Sequence, residues 1–133
     1  MHYKMYTLTN FGDDRGGLIP LEIGRNAPFE VRRAFYIFDT KPSTTRGAHA
    51  NRASQFVMVA VAGSCTVHID NGRGEKSTVT LDHPNQALWL DRIVWKEMVD
   101  FSPAAILLVL SDEKYDETEY IRNYEDYLRI RKQ

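Results

Sequence analysis

The chain has 133 residues, 43% apolar and 26% charged, so it is expected to fold as one globular domain over 1–133, burying roughly two-thirds of its unfolded surface. Its 17 basic and 18 acidic residues leave a net charge of -1, whereas a nucleic-acid or membrane-surface partner would favour a clustered positive excess. No apolar stretch approaches the ~20 residues of a membrane span, Met1-His2-Tyr3-Lys4 lacks the apolar core of a signal peptide, and the lone Cys65 argues against an internal disulfide or a Cys-based zinc site, so a cytoplasmic location is the simplest expectation.

Most of the chain divides into short strands between turns. Leu18 to Ile23 and Val31 to Phe38 are predicted strands, rich in β-branched and aromatic residues. Phe56 to Ala62 is an apolar run of strand length, as expected of a central strand buried on both faces. Gly63-Ser64 marks a turn or bulge. Cys65, Val67 and Ile69 then alternate with Thr66, His68 and Asp70, a half-buried strand that ends at the turn signal Asp70-Asn71-Gly72. Lys76 to Leu81, Gln86 to Leu90, Val94 to Val99 and Ala104 to Leu110 complete about eight strands, a spacing that predicts a sandwich or barrel. The end changes period. Asp116 can cap a helix with Glu119 three residues on, and Tyr120, Ile121, Tyr124, Tyr127 and Leu128 follow at helical spacing. A short C-terminal helix is predicted there, with its tyrosines as packing residues.

The hexapeptide Arg46-Gly47-Ala48-His49-Ala50-Asn51 carries the most chemistry. Histidine moves protons near neutral pH, and arginine forks onto phosphate or carboxylate. Together they suggest proton transfer on an anionic small molecule. Gly47 permits an unusual backbone conformation or a close approach. A cupin barrel, a small jelly roll, often holds a metal on His-x-His plus a carboxylate and one later histidine. Here those positions read His49, Asn51, Gln55 and the Trp95-Lys96-Glu97 region. Amide and ammonium groups are poor metal ligands. His2, His68 and His83 do not repair the set by spacing. The expected site is therefore metal-free and without a cofactor.

Arg46-Gly47-Ala48-His49 resembles the Arg-Gly-x-His segment of nucleotide-sugar cupins. The likeness extends through Asp14-Arg15-Gly16-Gly17-Leu18, Pro28 to Arg33, Tyr36 to Thr40, Gly63-Ser64-Cys65, Val94 to Met98, Asp100-Phe101-Ser102, Tyr115-Asp116-Glu117 and Tyr120 to Tyr124. On these residues the chain resembles the dTDP-4-keto-6-deoxyglucose 3,4-ketoisomerases. The resemblance implies an all-β cupin-type double-stranded β-helix, a jelly-roll barrel with a short C-terminal helix. It also implies a homodimer with a dTDP-linked keto-sugar in each barrel mouth. In the implied reaction the keto group moves from carbon four to carbon three through an enediol, in deoxyamino-sugar biosynthesis of the kind that feeds lipopolysaccharide O-antigen. His49 and Tyr36 are the implied catalytic residues. Arg15, Arg33, Arg46, Asn51, Trp95 and Lys96 are the implied substrate contacts.

Two departures stand out. The family usually has His-x-His where this chain has His49-Ala50-Asn51, and Trp-His-Glu-Met where it has Trp95-Lys96-Glu97-Met98. Asn51 can orient a hydroxyl but cannot shuttle a proton. Lys96, if burial lowers its pKa, can supply an acid or oxyanion contact. A non-catalytic sugar-nucleotide-binding cupin, or a keto-sugar epimerase or isomerase with another substrate, stays open on the sequence alone.

Overall fold

The computed structural model describes residues 1–133 as two five-stranded antiparallel sheets. In chain order the strands are β1 (Tyr3–Thr7), β2 (Arg33–Phe38), β3 (Arg46–Asn51), β4 (Phe56–Ala62) and β5 (Cys65–Asp70). They continue as β6 (Lys76–Leu81), β7 (Gln86–Leu90), β8 (Trp95–Val99), β9 (Ile106–Ser111) and β10 (Tyr120–Ile121), and α1 (Tyr124–Lys132) closes the chain. One sheet runs β1-β7-β4-β9-β2, the other β10-β3-β8-β5-β6. This is the expected jelly roll, with edge strands β2 and β10 carrying the residues of one barrel mouth.

Strand periodicity divides the apolar side chains into three layers. Phe56, Met58 and Ala60 of β4 join Val67, Ile69, Leu88, Leu90, Leu107 and Val109 between the sheets. Val57 and Val59 point the other way, with Leu8, Ala87 and Leu110, under Ile19, Leu21, Phe29 and Val31 of the long β1–β2 connection. That double burial is why β4 is apolar from Phe56 to Ala60, while Val61 beyond it is exposed. Cys65 lies in the central layer, where burial pushes its thiol up to about 11, out of range for a nucleophile at neutral pH.

The N-terminal assignment needs correction. Leu18 to Ile23 forms no strand: Pro20 has no N–H to give a ladder, Leu18 and Ile23 are exposed, and only Ile19 and Leu21 turn inward onto the sheet. The first strand is instead Tyr3–Thr7, paired with β7. Its Tyr3 and Met5 face the central core, a short alternation broken by Lys4 that gave no apolar run.

The C-terminal helix also starts later than its tyrosine spacing suggested. Asp116 caps only a 3-10 turn, Glu117–Glu119, accepting from the Thr118 amide. Tyr120 and Ile121 are β10, paired with Asn51 and Ala50. The helix begins at Tyr124, capped by Asn123, whose side chain accepts from the Asp126 amide. Ala50, Trp95, Ile121 and Tyr127 form the third apolar layer, between sheet and helix. Tyr127 is fully buried. Its hydroxyl lies 2.9 Å from the Ile93 carbonyl and 3.0 Å from that of Asp70, which share its proton, and it accepts from the Trp95 amide at 3.3 Å. Tyr127→Phe leaves these buried backbone groups short of a partner and should cost about 1–3 kcal/mol, measured by chemical denaturation.

Candidate functional site in the barrel mouth

A bulge in β3 aims the histidine. Gly47 and Ala48 both take left-handed backbone angles, φ 82° and 57°. The ladder with β8 slips at that point: Gly47 faces Glu97, and the next pair is His49 with Lys96. A regular ladder would have set Ala48 opposite Lys96 and turned His49 outward. The inserted residue instead puts the imidazole on the inner face, beside the Lys96 chain. Gly47 is required twice over. Its backbone angle suits glycine, and a Cβ there would stand 3.0 Å from the Lys96 carbonyl oxygen and 3.1 Å from Met98 Sδ.

Lys96 is buried, with its ammonium 2.7 Å from Asn51 Oδ1 and 4.4 Å from the centre of the Phe56 ring. Burial pulls its pKa down to about 7; Glu119 opposes that shift and Arg33 adds to it. His49 is pulled down to about 4, first by burial and then by the Lys96 charge, with Arg122 adding and the Gly47 backbone opposing. The free imidazole is therefore neutral at physiological pH and able to accept a proton.

Arg33 reaches in from β2, its guanidinium over the rings of Phe35 (5.4 Å) and Tyr115 (5.7 Å). Its Nε and Nη2, together with His49 Nδ1 and Asn51 Nδ2, are buried without a protein partner. An unpaired buried polar atom costs about 1–3 kcal/mol. Four such atoms on three neighbouring residues, among the cations of Arg33, Lys96 and Arg122, suit an anionic, oxygen-rich ligand.

Four of the expected site residues, Tyr36 as a catalytic group and Arg46, Arg15 and Trp95 as contacts, lie away from His49 within the single chain. Tyr36 is on the outer face of β2, 63% exposed and packed against Phe38 at 5.8 Å. Its neighbour Ile37 takes the inward position, so within one chain Tyr36 does not reach His49. Arg46, exposed at the start of β3, lines a surface cleft with Tyr36. Arg15 sits on an exposed loop, ion-paired to Asp13 at 2.6 Å. Trp95 faces away from Lys96, packed under α1 against Tyr124 and Tyr127, with its indole N–H donating to Glu97 at 2.9 Å. Strand alternation separates Trp95 from the barrel interior.

Three residues that the sequence reading did not place in the site belong to it. Tyr120 shares the inner face with its ladder partner Asn51 and meets the His49 ring edge-on, centroids 4.8 Å apart. Tyr115 packs on Tyr120 at 5.9 Å. Glu119 takes hydrogen bonds from the Ser54 amide and hydroxyl, holding a carboxylate near Lys96. The competing cap at Asn123, four residues after Glu119, was the signal that Glu119 and Tyr120 precede the helix. No three His, Cys, Asp or Glu side chains converge in a way that could hold a metal ion.

Fold and site together define a cupin-type jelly roll with a cationic, histidine-bearing mouth. Residues 1–132 match the family model described as FdtA: WxcM-like, C-terminal. The chain is 40% identical over 127 residues to a TDP-4-oxo-6-deoxy-α-D-glucose-3,4-oxoisomerase from Aneurinibacillus thermoaerophilus, covering 96% of this chain and 91% of that one. A 3,4-ketoisomerase from Helicobacter canadensis superposes with a TM-score of 0.95 at 41% identity, over 100% of this chain and 99% of that chain. A histidine-to-asparagine variant of a Thermoanaerobacterium thermosaccharolyticum 3,4-ketoisomerase, in complex with TDP-4-keto-6-deoxyglucose, superposes with a TM-score of 0.94 at 32% identity, over 98% and 94%. The chain belongs to this FdtA-like family of sugar-nucleotide 3,4-ketoisomerases.

Proposed function

We propose that this protein is an isomerase that moves the keto group of a dTDP-linked 4-keto-6-deoxyhexose from carbon four to carbon three. The observation that carries the mechanism is the placement of His49 and Lys96 side by side on the inner face of β3 and β8, one neutral and one able to carry a proton. His49 removes the proton from the carbon beside the ketone, and the electron pair flows into the carbonyl to give the enediol. Lys96, held by Asn51, protonates the carbon-four oxygen to complete the enediol; the neutral amine then takes the proton from the carbon-three hydroxyl as that oxygen becomes the new ketone, and His49 returns its proton to carbon four. Arg33 offers its unpaired N–H groups to the diphosphate or the developing oxyanion. The 3-keto product is the electrophile that an aminotransferase consumes, which fits deoxyamino-sugar biosynthesis and, further on, O-antigen assembly in the cytoplasm.

The homodimer is part of the same proposal. Tyr36, Phe38 and Val61 are exposed on one sheet, an apolar strip that supports self-association. Within a dimer Tyr36, Arg46 and Arg15 are free to approach a ligand, which one chain alone does not arrange.

Incubation with dTDP-4-keto-6-deoxyglucose in heavy water tests the reading. The expected result is deuterium beside the ketone and a 3-keto product. The second reading, a barrel that binds sugar nucleotide without turning it over, is favoured by Asn51 standing where the family has histidine. Tight binding by calorimetry with neither exchange nor product would establish it and remove the first.

A further inference from the structure

We propose that Tyr120 is a positioning residue for His49, its ring closing the barrel mouth over the imidazole and fixing the plane in which the base meets the sugar. The proposal rests on the isomerase reading for its consequence, but its geometry stands apart from it. β10 is only two residues long, and its pairing with β3 sets Tyr120 opposite Asn51 on the inner face. There the tyrosine meets His49 edge to face, centroids 4.8 Å apart with the planes at 61°, an arrangement that aromatic quadrupoles favour. The ring is itself held from outside. The Arg122 guanidinium lies 4.6 Å from its centroid, and Tyr115 packs at 5.9 Å. Tyr115 in turn carries Arg33 at 5.7 Å. Aromatic and cationic groups thus stack in a row from edge strand β2 to edge strand β10, and His49 lies against the Tyr120 end of it.

The groups around His49 come from several elements. Lys96 faces it from β8, Arg122 acts on it from just beyond β10, and Tyr120 covers it from β10 itself. Arg33 of β2 and Glu119 ahead of β10 act on Lys96. Tyr120 is the one neutral ring among them that touches the imidazole, so its contribution is to exclude water and set orientation. Removing the ring admits water, which favours the imidazolium; removing only the hydroxyl does not.

The test is a nuclear magnetic resonance titration of the His49 ring in ligand-free protein, beside kcat and KM for turnover. In Tyr120→Ala the His49 pKa should rise by about one unit or more toward its ordinary value, and kcat should fall about tenfold with KM changed little, since a misaimed base loses rate rather than binding. Tyr120→Phe should leave both the titration and kcat near wild type. Should Tyr120→Ala not fold, Tyr120→Val carries the same measurement, since it keeps a strand-forming residue in β10 while still opening the space of the ring to water. An unshifted His49 titration in the folded truncation would overturn the proposal. So would a loss of turnover in Tyr120→Phe with the titration unmoved, because the hydroxyl would then act on substrate directly. The titration needs no turnover, so a failure of the isomerase reading and a failure of this one give different results.

Discussion

His49→Asn should abolish solvent-deuterium exchange beside the ketone while nucleotide binding stays within a few-fold of wild type. Asparagine fills much of the imidazole volume and keeps hydrogen-bonding capacity, but it cannot take a proton. Loss of a general base commonly costs about 10²–10⁴ in rate. Binding should survive because the cations proposed to meet the ligand, Arg33 and Lys96, belong to other strands. The bulge at Gly47 and Ala48 is unaffected, since both residues precede the substituted position. Heavy-water exchange followed by mass spectrometry, beside calorimetry with dTDP, reads both halves. Residual exchange above about a tenth of wild type would reassign the base.

The same substitution has a stability signature. His49 is held down to about 4 in the folded chain against an ordinary value of 6.5. Between those values the unfolded chain binds a proton that the folded chain refuses, so folded stability falls as pH drops through the window. His49→Asn removes that contribution. Its denaturation midpoint should change less than wild type's between pH 6.5 and pH 4.

The sequence makes the inner structure legible wherever burial imposes a pattern. Phe56 to Ala60 is apolar at every position because both faces of β4 are covered there, and the alternation of Cys65 to Asp70 reports one inner and one outer face. His49 and Asn51 were found on motif alone and do share the inner face of β3. Lys96 stands where the resembled family has histidine, and the ladder places it opposite His49. What stayed hidden depends on register. Tyr36 and Trp95 are each one residue from an inward position, Ile37 and Lys96, and that one-residue difference sends both rings to the outer faces. Tyr120 was obscured by a second periodicity: with Tyr124, Tyr127 and Leu128 it continues a helical stripe. The chain obeys that stripe only from Tyr124, because Asn123 supplies the cap and the Asn51–Ala50 edge of β3 takes Tyr120 and Ile121 first.

Lys96→Met should lower kcat by about 10²–10⁴ without unfolding the protein. Methionine fills the lysine channel over Phe56 and spares the fold a buried ammonium. Against that gain, Asn51 Oδ1 loses its only donor. The pH dependence is the more specific readout. In the free enzyme His49 must be neutral and Lys96 protonated, so kcat/KM should be flat from above about 4 to about 7 and fall beyond. The descending limb belongs to Lys96. Lys96→Arg keeps a permanent charge for the oxyanion but cannot release a proton. Its profile should lose the descending limb while its rate stays well below wild type. Asn51→Asp sets a carboxylate where the amide oxygen now lies 2.7 Å from the ammonium. The opposite charge favours the protonated lysine, so the limb should move to higher pH. A descending limb that stays at the same pH in both Lys96→Met and Asn51→Asp would show that another group delivers the proton. The Asn51–Lys96 pair would then serve only to pack and charge the barrel mouth.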